Sequence, residues 1–172
     1  MTATIDSEAA AGAQVGMTPG EIIAKYQRDA PVAVVSIAKD LGVNVWEMHD
    51  LPEGFSGKLW RDPVNGGASG FSIGVRASEA VTRKRFTVAH EIAHFILHRN
   101  RLDGGLVEDI MYRGGLSNRE ETQANQMAAD ILMPFPLINR LVDEGESSIE
   151  KLAARLQVSL QALKIRLGVP FD

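Results

Sequence analysis

Three of the chain's four histidines fall within nine residues, and two of them bracket a glutamate in the run His90-Glu91-Ile92-Ala93-His94. On a helix, residues four apart share one face, one turn apart. Two imidazoles so placed can grip one metal ion as a pincer. Glu91 follows the first of them and can reach a water on the same ion, where its carboxylate can take the proton. A free water at neutral pH is a poor nucleophile, whereas on zinc its pKa falls to about 7. The pattern therefore points to metal-assisted hydrolysis. The plainer alternative is a helix whose histidines only cap or hydrogen-bond.

Two histidines and a water leave tetrahedral zinc one ligand short. A third histidine six residues past His94 is excluded, because position 100 is Asn. His98 lies one turn beyond His94, too far along a straight helix to reach the same ion, and is expected to hydrogen-bond to a ligand instead. His49 stands apart in a turn and is read as a bystander, with lining of the cleft as the alternative. A carboxylate from another helix is the natural third ligand, and Glu120 and Glu121 are the candidates. Ser117-Asn118-Arg119-Glu120 has the form of a capping box, in which Glu120 folds back onto the Ser117 amide. Glu121 falls on a strip of mostly small residues with Ala124, Asn125, Ala128 and Leu132, able to pack closely on the histidine helix. A solvated pair of glutamates in a first turn is the alternative. Tyr112 and Arg113, in a Gly-rich stretch before this helix, are candidates for a second donor to a developing oxyanion.

These residues need two helices and a wall to hold them. Phe86, Ala89, Ala93 and Ile96 recur at helical spacing within residues 78–99, and Phe86, Val88, Ile92 and Phe95 would bury that helix. A second long helix is expected over 118–133, stopped by Pro134 and Pro136. Upstream, Thr18-Pro19 opens a short helix with Glu21 in its first turn. Another spans about 32–41 and ends at Gly42. Val43, Val45 and Trp46 suggest a strand. Residues 57–60 and 71–75 suggest two more, around the turn-rich run 62–67, and a small antiparallel sheet is expected. Gly66-Gly67-Ala68-Ser69-Gly70 lacks a strand–loop–helix setting and reads as a hairpin turn rather than a phosphate loop. Two short helical stretches, near 137–143 and 148–167, complete the chain. Residues 1–16 read as a disordered leader.

Composition narrows the function. The 172 residues carry 18 basic and 22 acidic side chains, a net charge of −4, so nucleic-acid binding would need a local basic patch. No cysteine is present, which removes disulfides, thiolate chemistry and cysteine zinc sites. No stretch has the length and apolarity of a membrane span, and the first 16 residues lack the basic start and apolar run of a signal peptide; a cytoplasmic location is expected.

Residues 86–98, Phe-Thr-Val-Ala-His-Glu-Ile-Ala-His-Phe-Ile-Leu-His, resemble the zinc-site helix of the ImmA/IrrE metallo-endopeptidases. Residues 121–134, Glu-Thr-Gln-Ala-Asn-Gln-Met-Ala-Ala-Asp-Ile-Leu-Met-Pro, resemble that family's second motif, Glu-x-x-Ala-Asn followed by small residues and Leu-Met-Pro. The resemblance runs from about residue 31 to 168. Ala93 stands where the family often has Gly, and Gln123 where a second acidic residue is common; neither change removes a ligand.

The resemblance implies an α+β fold, mainly helical and zincin-like, with a small antiparallel sheet and a helix-turn-helix-like C-terminal region. The expected division is a leader at 1–16, a metallopeptidase domain at 17–136 and a helical region at 137–172. His90, His94 and Glu121 would ligate Zn2+, with Glu91 as general acid/base and His98 and Asn125 supporting the ligands. The implied substrate is a protein partner, a helix-turn-helix repressor or antitoxin, whose cleavage derepresses genes. Two other classes stand beside this one. Residues 148–163 resemble a helix-turn-helix with Val158-Ser159 at the turn, and Lys164 and Arg166 follow, which suggests a DNA-binding regulator. The acidic total and the absence of an Arg/Lys cluster make direct DNA binding the weaker expectation. A non-cleaving protein with a structural zinc site would hold a partner in the same cleft, but such a site has no need of Glu91.

Overall fold

The computed structural model describes residues 16–102 and 116–170. Two short helices come first: α1 (Pro19–Tyr26) and α2 (Val34–Asp40). Thr18 and Glu21 close a reciprocal capping box on α1, as Thr18-Pro19 predicts. Gly42, at φ +80°, supplies the left-handed residue that turns the chain out of α2 and into the sheet.

The three strands are β1 (Val43–Met48), β2 (Gly57–Arg61) and β3 (Phe71–Arg76), in the order β1-β3-β2. β2 and β3 form the expected antiparallel pair, with Gly57 opposite Val75 and Arg61 opposite Phe71. β1, however, runs parallel to β3, with Val43 beside Phe71 and Met48 beside Arg76, so the sheet is mixed rather than antiparallel. Residues 49–56 make this possible by crossing the end of β3 to reach the far edge. Arg76 ties that crossing down: its guanidinium donates to Phe55 O at 2.9 Å and Leu51 O at 3.0 Å, and also to Pro52 O. One sheet face, carrying Phe71, Ile73 and Val75, enters the core. On the other face a Cβ at Gly74 would meet Met48 Sδ at 2.3 Å and Trp60 Cζ3 at 3.2 Å, so these side chains lie directly on the backbone. Trp46 covers the neighbouring position, its Nε1 donating to Ser72 Oγ at 3.0 Å.

The sheet supports α3 (Val81–Leu102), and α3 packs along α4 (Asn118–Leu132). Val88, Ala89, Ile92 and Phe95 bury one side of α3. Ala124, Ala128 and Leu132 are fully buried, forming the small-residue strip that lets the two helices approach closely. Pro134 and Pro136 end α4 and admit α5 (Phe135–Asp143). The helical stretch expected from 148, with its turn at Val158-Ser159, divides there into α6 (Ile149–Leu156) and α7 (Leu160–Leu167). Gln157, in the left-handed region at φ 51°, breaks it, and Ser159 caps the next helix.

All ten of these elements contribute to one buried apolar cluster. Two arginines fasten the C-terminal helices to the site helices. Arg85 of α3 donates to Val32 O at 2.8 Å and Gln157 O at 3.3 Å. Arg166 of α7 donates to Met133 O at 3.0 Å and pairs with Asp130 at 2.7 Å. Among the described residues, no helix is long and apolar enough to cross a membrane. The expected leader, apart from Gly16, lies outside the described residues, as do Tyr112 and Arg113.

Candidate metal centre

His90 and His94 come from successive turns of α3, and their Nε2 atoms stand 3.0 Å apart. Ser117 and Glu120 form the predicted capping box at the start of α4, with Glu120 Oε2 accepting from Ser117 N at 2.8 Å. The next residue, Glu121, faces α3. Its Oε1 lies 3.2 Å from His94 Nε2 and its Oε2 3.4 Å from His90 Nε2. Ligands about 2.0–2.1 Å from one tetrahedral centre stand roughly 3.3–3.4 Å apart. The three side chains thus converge with close to the spacing of a shared ion, and among the described residues they form the group of His, Asp and Glu donors fit to hold one.

Burial holds both imidazoles in the form that binds metal. It is the main cause that lowers the His90 pKa, against the opposing pull of Glu121 and Asn125. His94 is pushed down to about 3, by burial first and then by its two histidine neighbours. Both rings are therefore neutral at pH 7, with a lone pair to give.

Each ring is also fixed from behind. His90 Nδ1 lies 3.0 Å from Asn125 Oδ1, and since that oxygen only accepts, the ring must donate, leaving Nε2 as the bare nitrogen. His94 Nδ1 lies 3.0 Å from His98 Nδ1. With Nε2 of His94 turned to an ion, its Nδ1 carries the proton and His98 Nδ1 accepts it. His98 then bears its own proton on Nε2, 3.5 Å from Gln123 Oε1. Asn125 and His98 thus stand where the sequence puts them. Gln123 was visible only as a departure from the family motif, and its part at the end of this chain needs the α3–α4 packing to be seen.

Glu91 is buried beside the cluster, and its Oε2 has no hydrogen-bond partner among the described residues. Its pKa is pushed up to about 8, chiefly by burial and then by the Glu121 charge. An orphaned carboxylate oxygen next to three convergent donors is costly for a purely structural element. It suits a group that meets a water or an ion, so the residues present fit zinc.

A cleft of about 620 Å³ opens over these atoms. One wall is Gly54, Phe55, Ser56 and Gly57, the end of the crossing loop and the start of the edge strand β2. Gly57 has to be glycine: a Cβ there would lie 2.4 Å from Thr87 Cγ2 and 2.7 Å from Gly74 O. Arg83 stands at the mouth with its guanidinium 3.1 Å from Ser56 Oγ. These wall residues were missed in the sequence. Arg83 could have been found, since it precedes His90 by seven residues, two turns on the same face. His49 is exposed past β1 and does not line the cleft.

Comparison with known proteins agrees with the site. The chain matches the peptidase M78 family, described as the IrrE N-terminal-like domain, over residues 38–168. It is 41% identical to the radiation response metalloprotease IrrE of Deinococcus radiodurans over 51% of this chain, and spans only 29% of that protein's length. Among solved structures, a Mycobacterium tuberculosis transcriptional regulator shares the fold with a TM-score of 0.53, at 16% identity, over 89% of this chain and 43% of that one. With a family match that covers most of its length and both site helices, the chain belongs to the IrrE N-terminal-like family of M78 peptidases.

Proposed function

We propose that this chain is a zinc-dependent endopeptidase acting on a protein partner, a helix-turn-helix repressor or antitoxin whose cleavage releases gene expression. The reading rests above all on one observation: the buried Glu91 carboxyl, whose Oε2 has no partner among the described residues, beside the convergent His90, His94 and Glu121 donors. Bound zinc would supply Lewis-acid polarisation of a peptide carbonyl and lower the pKa of water. Glu91 takes the proton from the attacking water and passes it to the leaving amine, a role that suits a carboxyl whose pKa burial has raised toward neutrality. Asn125 and His98 keep the two imidazoles aimed. The wall at 54–57 is continuous with the edge strand β2, whose outer side offers backbone groups to an extended polypeptide.

Direct DNA binding finds less support. On α7, the helix that would read bases, Arg166 is committed to Asp130 and Met133 O and stacks on Phe135 at 4.2 Å. The test is co-incubation of the zinc-loaded protein with the repressor encoded beside its gene. Wild type should cut it, and Glu91→Gln should keep stoichiometric zinc yet leave it intact. An intact repressor with zinc-loaded wild type would refute the reading.

A further inference from the structure

A second cavity, of about 700 Å³, lies between α4 and α7. Its walls are mainly apolar: Ala129 of α4 and Met133 just past its end, Ala162 and Ile165 from α7. Ile165, 63% exposed, forms its open edge. The cavity is not separate from the metal cleft, because Phe86 and Asn125 line both. Asn125 is also the residue that holds His90, 3.0 Å from its ring. The apolar groove therefore begins at the side chain that aims a metal ligand.

The one charged pair at its rim is already matched, with Arg166 on Asp130 at 2.7 Å. A charged group entering the groove would lose water and meet no free counter-charge, only the uncharged Thr122, Asn125 and Gln126 on one side, whereas an apolar one would bury surface against Ala129, Met133, Ala162 and Ile165.

We infer that this groove takes a large apolar side chain of the polypeptide substrate, one placed close to the cleaved bond, and so sets where the chain cuts. This rests on the peptidase reading above. An extended segment advances about 3.3 Å per residue. A groove that starts at Asn125 therefore receives a residue within about three positions of the scissile bond. The committed occupant is Leu, Met or Phe rather than an acidic, basic or small residue.

The experiment uses the full zinc-loaded chain and a library of random decapeptides, with products read by mass spectrometry. Wild type should favour Leu, Met or Phe about tenfold over Ala at one position within three residues of the cut. Ala129→Phe and Ala162→Phe each fill the groove without touching a ligand. They should keep full zinc content, lower that preference at least fivefold and move it toward Gly, Ala and Ser. An unchanged preference in both variants, or no positional preference in wild type, would overturn the inference. If wild type cuts nothing, it is the peptidase reading that fails, and the groove is judged separately by methyl NMR with N-acetyl-leucinamide as probe. Shifts at Ala129, Ala162 and Ile165 that Ala129→Phe abolishes would support an apolar side-chain site. No shift at those methyls would overturn it.

Discussion

Gly57 presses β2 onto α3, and replacing it tests whether that contact shapes the cleft wall. A Cβ there would sit 2.4 Å from Thr87 Cγ2 and 2.7 Å from Gly74 O. Carbon atoms pack best at about 3.5–4.0 Å, so Gly57→Ala drives an overlap of roughly 1 Å against the Thr87 methyl and a smaller one against the Gly74 carbonyl oxygen. The Thr87 methyl can yield only by moving a buried side chain. The Gly74 carbonyl cannot yield without bending the central strand. Overpacking of this kind costs about 1–3 kcal/mol, and a backbone partner puts Gly57→Ala at the upper end, about 2–3 kcal/mol. For a chain of this size that is roughly 5–10 °C in Tm. Thr87→Ser removes Cγ2 but leaves Gly74 O in place, so Gly57→Ala/Thr87→Ser should recover about 1 kcal/mol rather than all of the loss. Urea unfolding of the four proteins, followed by circular dichroism, measures the cycle. A Gly57→Ala protein within about 0.5 kcal/mol of wild type would refute the idea that the missing side chain sets the distance between β2 and α3.

Adding zinc to metal-free protein at a hundred times its Kd should stabilise it by about 2.7 kcal/mol, roughly 5–10 °C in a thermal melt; His94→Ala should show no zinc response. Asn125→Ala removes the acceptor that fixes the His90 ring and should weaken zinc binding about 10–100-fold, read by competition with a chromophoric chelator. In the metal-free chain, Glu91 has its pKa raised from 4.5 to about 8. The folded state therefore holds the extra proton between those values, and stability falls as pH rises through that window. Glu91→Gln abolishes this penalty. Its advantage over wild type in chelator-treated urea melts should be near zero at pH 4.5 and grow to at most about 5 kcal/mol above pH 8. A constant difference across that range would count against the burial that raises the pKa.

The site was more legible in the sequence than the sheet. His90 and His94 at i, i+4 need only a helix to converge, and the capping box that occupies Glu120 singles out Glu121 from purely local rules. Thr18, Gly42 and Pro134 mark helix ends for equally local reasons. The parallel pairing of β1 with β3 is a different kind of fact. It depends on a crossing loop whose carbonyls are satisfied by Arg76, some 20 residues further on, and nothing in Val43 or Val45 names a partner. Gly57 was hidden for a related cause: a glycine required by a neighbour's bulk looks like any other in a sequence. The break of the last helical stretch is legible at Val158-Ser159, but the left-handed non-glycine residue that makes it, Gln157, is not revealed by spacing.

The two tryptophans have an optical consequence. The chain has no others, and both sit on the outward face of the sheet, Trp60 on the same short strand as Gly57. Indole emission therefore reports on the outer face of the sheet, through Trp60 on the strand that flanks the cleft and Trp46 on the far edge, while far-ultraviolet ellipticity reports mainly on the helices, those of His90, His94 and Glu121 among them. A ligand threaded beside β2 and an ion held between α3 and α4 would each leave a separate spectral mark on an unlabelled molecule.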